Sequence, residues 1–209
     1  MAYQAGDSKQ IIVGAAALFV ADTTLTSDDL PAFASGTSYK ETLSADADWR
    51  NVGYTNNGLE LQFQPDFGEV KVDQVLDVAK LYKQGMKVSL KTSFAEATLE
   101  NLLLATAGAS ADLGSEAGKS TSAGQTLTLS AGRLGECPVE RGLVAVGPGT
   151  GDCDTTSVER VYAAYRALSI ENVTVSAKRD TATEFEVTFR LLPEDTSGSY
   201  GKIVDRTFA

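Results

Sequence analysis

Apolar and polar side chains alternate along several stretches of the chain, which is the pattern of half-buried β-strands. Residues 58–64 and 86–94 alternate most regularly, and residues 69–73 repeat the pattern over a shorter run. The link at 65–68 reads Pro-Asp-Phe-Gly, and these residues favour turns. The alternation therefore predicts a β-hairpin formed by 58–64 and 69–73, and a further strand at 86–94.

Other strands are predicted from short apolar runs bounded by turn residues. The run at 11–21 is too short to span a membrane and lacks the flanks and cleavage site of a signal peptide, so it predicts a buried strand. The remaining predicted strands are 126–131, 142–146, 158–168, 172–177, 183–192 and 201–208. Together they indicate a mainly β protein.

One helix is predicted after the strand at 86–94. Ser93 and Glu96 have the S-x-x-E spacing of a capping box, a stripe of leucines at i, i+3 and i+4 begins at Leu99, and Gly108 marks the end. A helix of about a dozen residues is marginal alone, so it is expected to pack against a sheet.

The chain of 209 residues contains no internal repeat and no interdomain linker, which predicts a single domain over 1–209. The pattern of strands indicates a mainly β fold with one helix and long loops. The polar connection at 22–57 shows no clear helical periodicity and is far longer than the joining of two strands requires. It is therefore expected to be a functional arm, anchored by Trp49 near its end.

The composition excludes several kinds of chemistry. The chain has no histidine, so a Ser-His-Asp or Cys-His site and a His-ligated zinc are impossible. The net charge of −10 does not attract the phosphates of nucleic acid. Cys137 and Cys153 are too few for a four-ligand metal site; two reduced thiols are favoured, and a single disulfide stays open. No enzymatic activity, metal or cofactor is expected.

Three short motifs approach known binding loops without matching them. The segment 114–120 (GSEAGKS) is one residue short of a phosphate loop, and no strand runs directly into it. The glycines at 147, 149 and 151 lack the dinucleotide-binding spacing. Asp152 and Asp154 lack the Asp or Asn and the Gly that a calcium loop needs downstream. Each motif is better explained as an ordinary loop.

A combination of motifs resembles the tail tube (major tail) proteins of long-tailed, siphovirus-like bacteriophages. Three motifs carry the resemblance: 49–63 (WRNVGYTNNGLELQF), 69–77 (EVKVDQVLD) and 88–102 (VSLKTSFAEATLENL). Weaker matches follow at 185–189 (FEVTF) and 201–206 (GKIVDR). The order and spacing of the motifs are similar to the family over roughly the last three-quarters of the chain.

The resemblance implies a mainly β fold of the tail-tube type, a β-sandwich or barrel with one flanking α-helix and long loops. It also implies a non-catalytic structural protein of the virion tail, assembled in the host cytoplasm without a membrane anchor. Subunits of this family form hexameric rings that stack into a hollow tube through which the genome passes. The partners implied are further copies of the chain and other tail proteins, such as the tape measure and the tail terminator. DNA is expected to pass through without specific binding.

Two sets of residues are assigned to this expected assembly. The residues expected to line the lumen are Glu60, Gln62, Glu69, Lys71, Asp73, Lys87, Lys91, Glu184, Glu186 and Arg190. The residues expected on an inter-ring arm are Ser35, Tyr39, Lys40, Ser44 and Trp49. The arm is expected to order only in the tube, so that deleting 35–44 would leave the fold intact.

Two other classes of function stay open at this point. One is a related tube protein of a secretion system, which would share the architecture. The other is a monomeric β-sandwich binding module. A binder of carbohydrate would be expected to expose several aromatic side chains, and the chain has one tryptophan.

Overall fold

The computed structural model describes residues 7–26, 28–116, 124–151 and 157–208, which form ten β-strands and two α-helices. The strands are β1 (Ala17–Ala21), β2 (Trp49–Asn51), β3 (Thr55–Val70), β4 (Lys80–Phe94), β5 (Leu113–Glu116), β6 (Gly124–Leu127), β7 (Arg141–Pro148), β8 (Val158–Ser169), β9 (Phe185–Leu192) and β10 (Gly201–Thr207). The helices are α1 (Tyr39–Ala45) and α2 (Leu99–Ala105). The expectation of a mainly β fold is confirmed. Within the described ranges, no helix is long and apolar enough to cross a membrane.

A single strand, β8, joins the two halves of the main sheet. Eight antiparallel strands follow the order β2-β1-β7-β8-β9-β4-β3, with β10 also paired to β8. One edge of β8 pairs with β7, while the other edge pairs with β10 over 158–164 and then with β9 over 166–169. At this changeover, a Cβ on Gly201 would lie 1.9 Å from the carbonyl oxygen of Ala163. Only glycine therefore lets β10 begin so close to β8.

The main core lies between two layers of this folded sheet. Strands β1, β7 and β8 contribute one layer, and β9, β4 and β3 contribute the other. The buried side chains that meet between them are Leu18, Val20, Leu143, Ala145, Ala164, Val88, Leu90, Phe94, Phe185, Val187, Phe189 and Leu191. Phe94 meets Phe185 edge to face, with ring centroids 5.6 Å apart. The arrangement is that of a β-sandwich, the fold that the resemblance to tail tube proteins implies.

A second core covers the opposite face of β1, β7 and β8. The segment 22–48, which includes α1, lies over this face. Tyr39 and Leu43 project from α1 and are completely buried among Phe19, Val144 and Val161. The central strands are therefore buried on both faces.

The predicted hairpin between 58–64 and 69–73 is wrong, because both segments belong to the single long strand β3. Its partner is β4, and the pairing runs from Thr55 opposite Phe94 to Val70 opposite Lys80. The Pro-Asp-Phe-Gly link stays extended and lies beside a β-bulge, where Gln84 is the extra residue. Strand β3 lies at the edge of the sheet, where proline is tolerated.

Other predicted boundaries also differ from the structure. Of the strand expected at 11–21, only 17–21 pairs, and Ile11 and Val13 are exposed. The segment 172–177 forms no strand. The loop expected at 109–125 contains β5 and part of β6, and these two strands pair with each other. The strand expected at 126–131 ends at Leu127.

The two helices begin at caps that the sequence prediction did not assign. The predicted cap Ser93 lies inside β4, and Thr98 caps α2 by accepting the N–H of Asn101 at 3.2 Å. Helix α1 has no counterpart in the sequence prediction. Its cap is Ser38, whose side chain accepts the N–H of Lys40 at 3.3 Å.

The variant Leu43→Ala should lower the free energy of unfolding by about 2–5 kcal/mol, because it opens a cavity under α1. Lys40→Ala, on the exposed side of the same helix, is the matched control and should change the value by no more than about 0.5 kcal/mol. Urea unfolding of both variants measures the difference. Equal stability of the two would mean that α1 does not pack on the sheet.

Candidate assembly surface

The outer halves of β3 and β4 form a two-stranded ribbon, residues 63–87, that extends past the sandwich. The pairing of β4 with β9 begins at Phe94 and ends at Val88. Beyond that point, the described residues of β3 and β4 pair only with each other. Residues 71–79 connect the two strands and form the tip of the ribbon. At about 3.3 Å per residue, seven steps from Phe63 to Val70 span roughly 23 Å.

Both faces and the tip of the ribbon carry exposed apolar side chains. The eight that are exposed by more than a third are Phe63, Phe67, Val70, Val72, Val75, Leu76, Leu81 and Tyr82. Phe63 lies on the core side of the sheet, since it stands opposite Val88, yet it is 52% exposed. Exposed apolar side chains gathered on one part of a molecule are typical of interaction surfaces.

An apolar cleft of about 130 Å³ lies at the root of the ribbon, where β10 and β9 separate. Its floor contains the buried side chains of Val88 and Leu191, and Tyr162 contributes a wall. Phe63 and Ile203 stand at the rim, each 52% exposed. The cleft exists because the two strands that pair with β8 diverge beside it.

The open strand edges in the described part of the chain include those of β3 and β10, besides the outer edge of the short strand β2. The outer edge of β3 has no partner strand over its 16 residues, and β10 pairs only with β8. Open edges present unpaired N–H and C=O groups that can bind a strand of another molecule.

Seven of the ten residues predicted to line a lumen share the outer face of the sheet. They are Glu60, Gln62, Lys87, Lys91, Glu184, Glu186 and Arg190. Glu60 stands opposite Lys91 on the neighbouring strand, and Arg190 stands opposite Ser89. Alternation within each strand therefore assigned these residues to one face correctly. That this face lines a channel stays a prediction.

The other three residues lie elsewhere, because the predicted hairpin is wrong. Glu69 belongs to β3 and lies on the same side of the ribbon as Phe67, opposite to the polar face. Lys71 and Asp73 lie in the tip of the ribbon, and the Nζ of Lys71 is 3.6 Å from a carboxylate oxygen of Glu69. The expected set of lumen residues is thus divided between two surfaces.

The charges of the polar face nearly cancel. Three acidic and three basic residues of the seven give a net charge of zero, and Glu171, which accepts a hydrogen bond from Thr188 at 2.7 Å, brings the face to −1. The ammonium of Lys91 lies 3.0 Å from a carboxylate oxygen of Glu186. This hydrogen bond raises the pKa of Lys91.

The residues predicted for the inter-ring arm divide into buried and exposed groups. Tyr39 and Trp49 are buried within the second core, so they cannot contact another ring in this conformation. Ser35, Lys40 and Ser44 are exposed. The expected anchoring by Trp49 is confirmed. Deleting 35–44 would remove Tyr39 and Leu43 from the core, so their burial argues against the expectation that this deletion leaves the fold intact.

A buried carboxylate fastens the arm to the sheet. Glu159 of β8 accepts hydrogen bonds from the backbone N–H of Tyr39 at 2.8 Å and from the hydroxyl of Ser38 at 2.7 Å. The guanidinium of Arg206, on β10, lies 3.4 Å from the same carboxylate and donates to the carbonyl oxygen of Thr37 at 3.0 Å. A buried ion pair of this kind is costly to break on one side only.

The motifs that resemble binding loops add no site to the described structure. Residues 118–120, Asp152, Asp154 and Cys153 lie outside the described residues, and Cys137 is exposed with a free thiol. In the described ranges, no three Asp, Glu or Cys side chains come together as a metal site.

Comparison with known proteins gives no family assignment. The chain matches no protein-family model, and no curated protein is detectably similar to it in sequence. Its function therefore has to be inferred from its geometry.

The apolar tip and the cleft are surfaces that the sequence prediction did not find. Leu61 and Phe63 belong to the same alternating run, yet one lies near the core and the other at the rim. The only local signal was the apolar cluster Val72, Val75 and Leu76 beside charged residues. That cluster does not tell an exposed tip from a buried strand.

Tyr39→Phe should reduce the loss of stability at alkaline pH. Burial raises the pKa of Tyr39 to about 12, against an opposing influence of Arg206. Because an unfolded tyrosine ionises near pH 10, this residue stabilises the fold fully below pH 10, and about 2 kcal/mol of that is lost by pH 12.

The variant loses the hydrogen bond from the Tyr39 hydroxyl to the carbonyl oxygen of Pro31, which costs about 1 kcal/mol at neutral pH. Urea unfolding between pH 8 and pH 12 should therefore show the wild type more stable at pH 8 and the two proteins converging or crossing by pH 12. Parallel curves over the whole range would contradict the burial of this hydroxyl.

Proposed function

We propose that this protein is the structural subunit of a bacteriophage tail tube. Through contacts with copies of itself, it forms rings of six subunits, and these rings stack. The ribbon is the observation that carries this proposal. An isolated two-stranded hairpin is marginal in water, and this one exposes apolar side chains on both faces and at its tip. A partner that binds the ribbon would bury these side chains and stabilise it.

The energetics favour a repeated contact over a single one. Covering the exposed parts of the eight apolar side chains would contribute on the order of 5–10 kcal/mol. Association itself costs roughly 4–15 kcal/mol in lost translational and rotational freedom. One contact alone thus gives a weak dimer, whereas contacts that recur around a ring and between rings give a stable assembly.

The open edges of β3 and β10 support ring formation in particular. Each copy offers both edges, and pairing between copies would satisfy backbone groups that the described part of one chain leaves open. A contact between two different surfaces is heterologous, and it closes into a ring when the rotation between copies allows it.

The outer polar face of β9, β4 and β3 suits the wall of a channel for DNA. Its near-zero charge leaves few cations to hold phosphates, so a passing duplex would not be retained. In the proposed tail, the tape measure and the tail terminator are further partners, and the protein acts without catalysis or cofactor.

Electron microscopy of the purified protein and of virions tests this function. Rings or tubes are expected, and featureless monomers under all conditions would overturn it. A secretion-system tube would form similar rings, so the decisive observation is the chain as the main tail protein of purified virions. A monomeric binding module does not account for the ribbon.

Removing the ribbon should abolish assembly and leave the sandwich folded. Replacing 67–84 by Asn-Gly joins Asp66 to Gly85, which already face each other, through a turn suited to hairpins. The removed side chains are exposed and lie outside the main core, so the free energy of unfolding should change by less than about 1 kcal/mol. Sedimentation velocity should then find monomers; normal tubes from this variant would contradict the role of the ribbon.

Reversing charges on the polar face should create DNA retention. The double variant Glu60→Lys with Glu186→Lys adds four positive charges per copy to this face. At about 50 mM salt, assembled wild-type protein should not retain duplex DNA, whereas the variant should retain it and release it as the salt concentration rises. Gel retardation measures both.

The matched control for this experiment is Glu41→Lys with Asp48→Lys, which makes the same change in net charge on exposed residues of the arm. It should behave like the wild type. Equal retention by both double variants would show that total charge, and not the polar face, determines contact with DNA.

A further inference from the structure

We propose that the tip of the ribbon of one copy docks into the apolar cleft at the ribbon root of a neighbouring copy, with Leu76 filling the cleft. The inference rests on the proposed self-assembly and specifies which two surfaces meet. Each copy carries one tip and one cleft, so the same contact can recur from copy to copy.

The two surfaces match in size and chemistry. The cleft has a volume of about 130 Å³ and a mainly apolar lining, and an apolar cavity of about this size accepts one small hydrophobic group. Leu76 is fully exposed at the tip and is flanked by the exposed side chains of Val72 and Val75. A leucine that enters the cleft would cover Phe63 and Ile203 at its rim.

The tip cannot reach the cleft of its own copy. Strand β3 is extended from Phe63, at the rim, to Val70, next to the tip, and this part spans roughly 23 Å. The pairing with β4 keeps it extended along this length. A tip that occupies the cleft must therefore belong to a second copy.

Charge favours the same pairing of surfaces. The tip carries Asp73 and Asp77 against Lys71, a net charge of −1, while Lys202 lines the cleft and Lys83 stands on the same side of the ribbon as Phe67. Opposite charges around an apolar contact guide the approach and fix the orientation of the two partners.

Two other exposed segments could compete for the cleft. Leu134 is as exposed as Leu76, and Ile11 and Val13 are exposed near the start of the described chain. Leu134 lies between Arg133 and Glu136 in a turn, without apolar neighbours in sequence. The tip is favoured because it presents three apolar side chains together, and Leu134 provides the matched control.

The first test compares Leu76→Asp with Leu134→Asp in the full-length chain. Both changes place one carboxylate at a fully exposed leucine, so both variants should fold like the wild type in urea unfolding. Leu76→Asp should raise the protein concentration needed for assembly at least about tenfold, as expected for the loss of a central contact. Leu134→Asp should leave it unchanged, and the reverse pattern would overturn the proposal.

The second test detects the contact directly by cross-linking between copies. In a chain with Cys137→Ser and Cys153→Ser, one preparation carries Leu76→Cys and another carries Ile203→Cys. Mild oxidation of the mixture should give disulfide-linked dimers of one copy of each kind, because a docked tip brings the two Cα atoms within disulfide range. A mixture of Leu134→Cys with Ile203→Cys should give none above background.

The outcomes separate this inference from the proposed function. Rings or tubes without the Leu76–Ile203 cross-link would overturn the docking and leave the proposed function in place. Cross-linking through Leu134 would assign the cleft to the other loop and would also overturn it. Monomers in every condition would overturn both.

Discussion

The pairing of β8 with two different strands along one edge is the constraint on which the rest of the structure depends. Because 158–164 bind β10 and 166–169 bind β9, the sheet has to divide between these stretches. At the division, Arg166 binds Glu140 through two hydrogen bonds of 2.6 and 3.1 Å, which holds the end of β8 in place. The division folds β9, β4 and β3 over the core, opens the cleft, and leaves the outer halves of β3 and β4 as a ribbon.

Alternation in the sequence identifies which residues share a face, and it does so without knowing which strands are neighbours. It therefore assigned Glu60, Lys91 and Arg190 to one polar face correctly. It failed at 65–68, since turn-forming residues between two alternating runs favour a hairpin locally, whereas the choice of β4 as partner depends on residues far along the chain. Because a turn was predicted at 65–68, Glu69 was assigned to the wrong face of the sheet.

The burial of the arm is indicated in the sequence of another strand, β7. The run Leu143-Val144-Ala145-Val146 has no polar position, as expected of a strand covered on both faces. Another segment was thus required to pack on the second face of this strand, and the long polar connection at 22–57 was available for it. Its apolar residues follow no single period, because one short helix and irregular chain carry them. Glu159 completes the cover by binding the first turn of α1, a contact between residues 120 apart that local patterns do not reveal.

In the proposed assembly, the length of the ribbon resolves a conflict between net charge and contact between copies. Each copy has a net charge of −10, so the bodies of two copies repel each other as they approach. This repulsion is screened over about 10 Å at 0.1 M salt. A ribbon that reaches roughly 23 Å from the body places its apolar tip beyond most of that field. Contact can therefore begin at the tip while the bodies remain apart, and the acidic surface then discourages association through any other face. In the proposed assembly, local apolar attraction and long-range repulsion together would select one mode of contact.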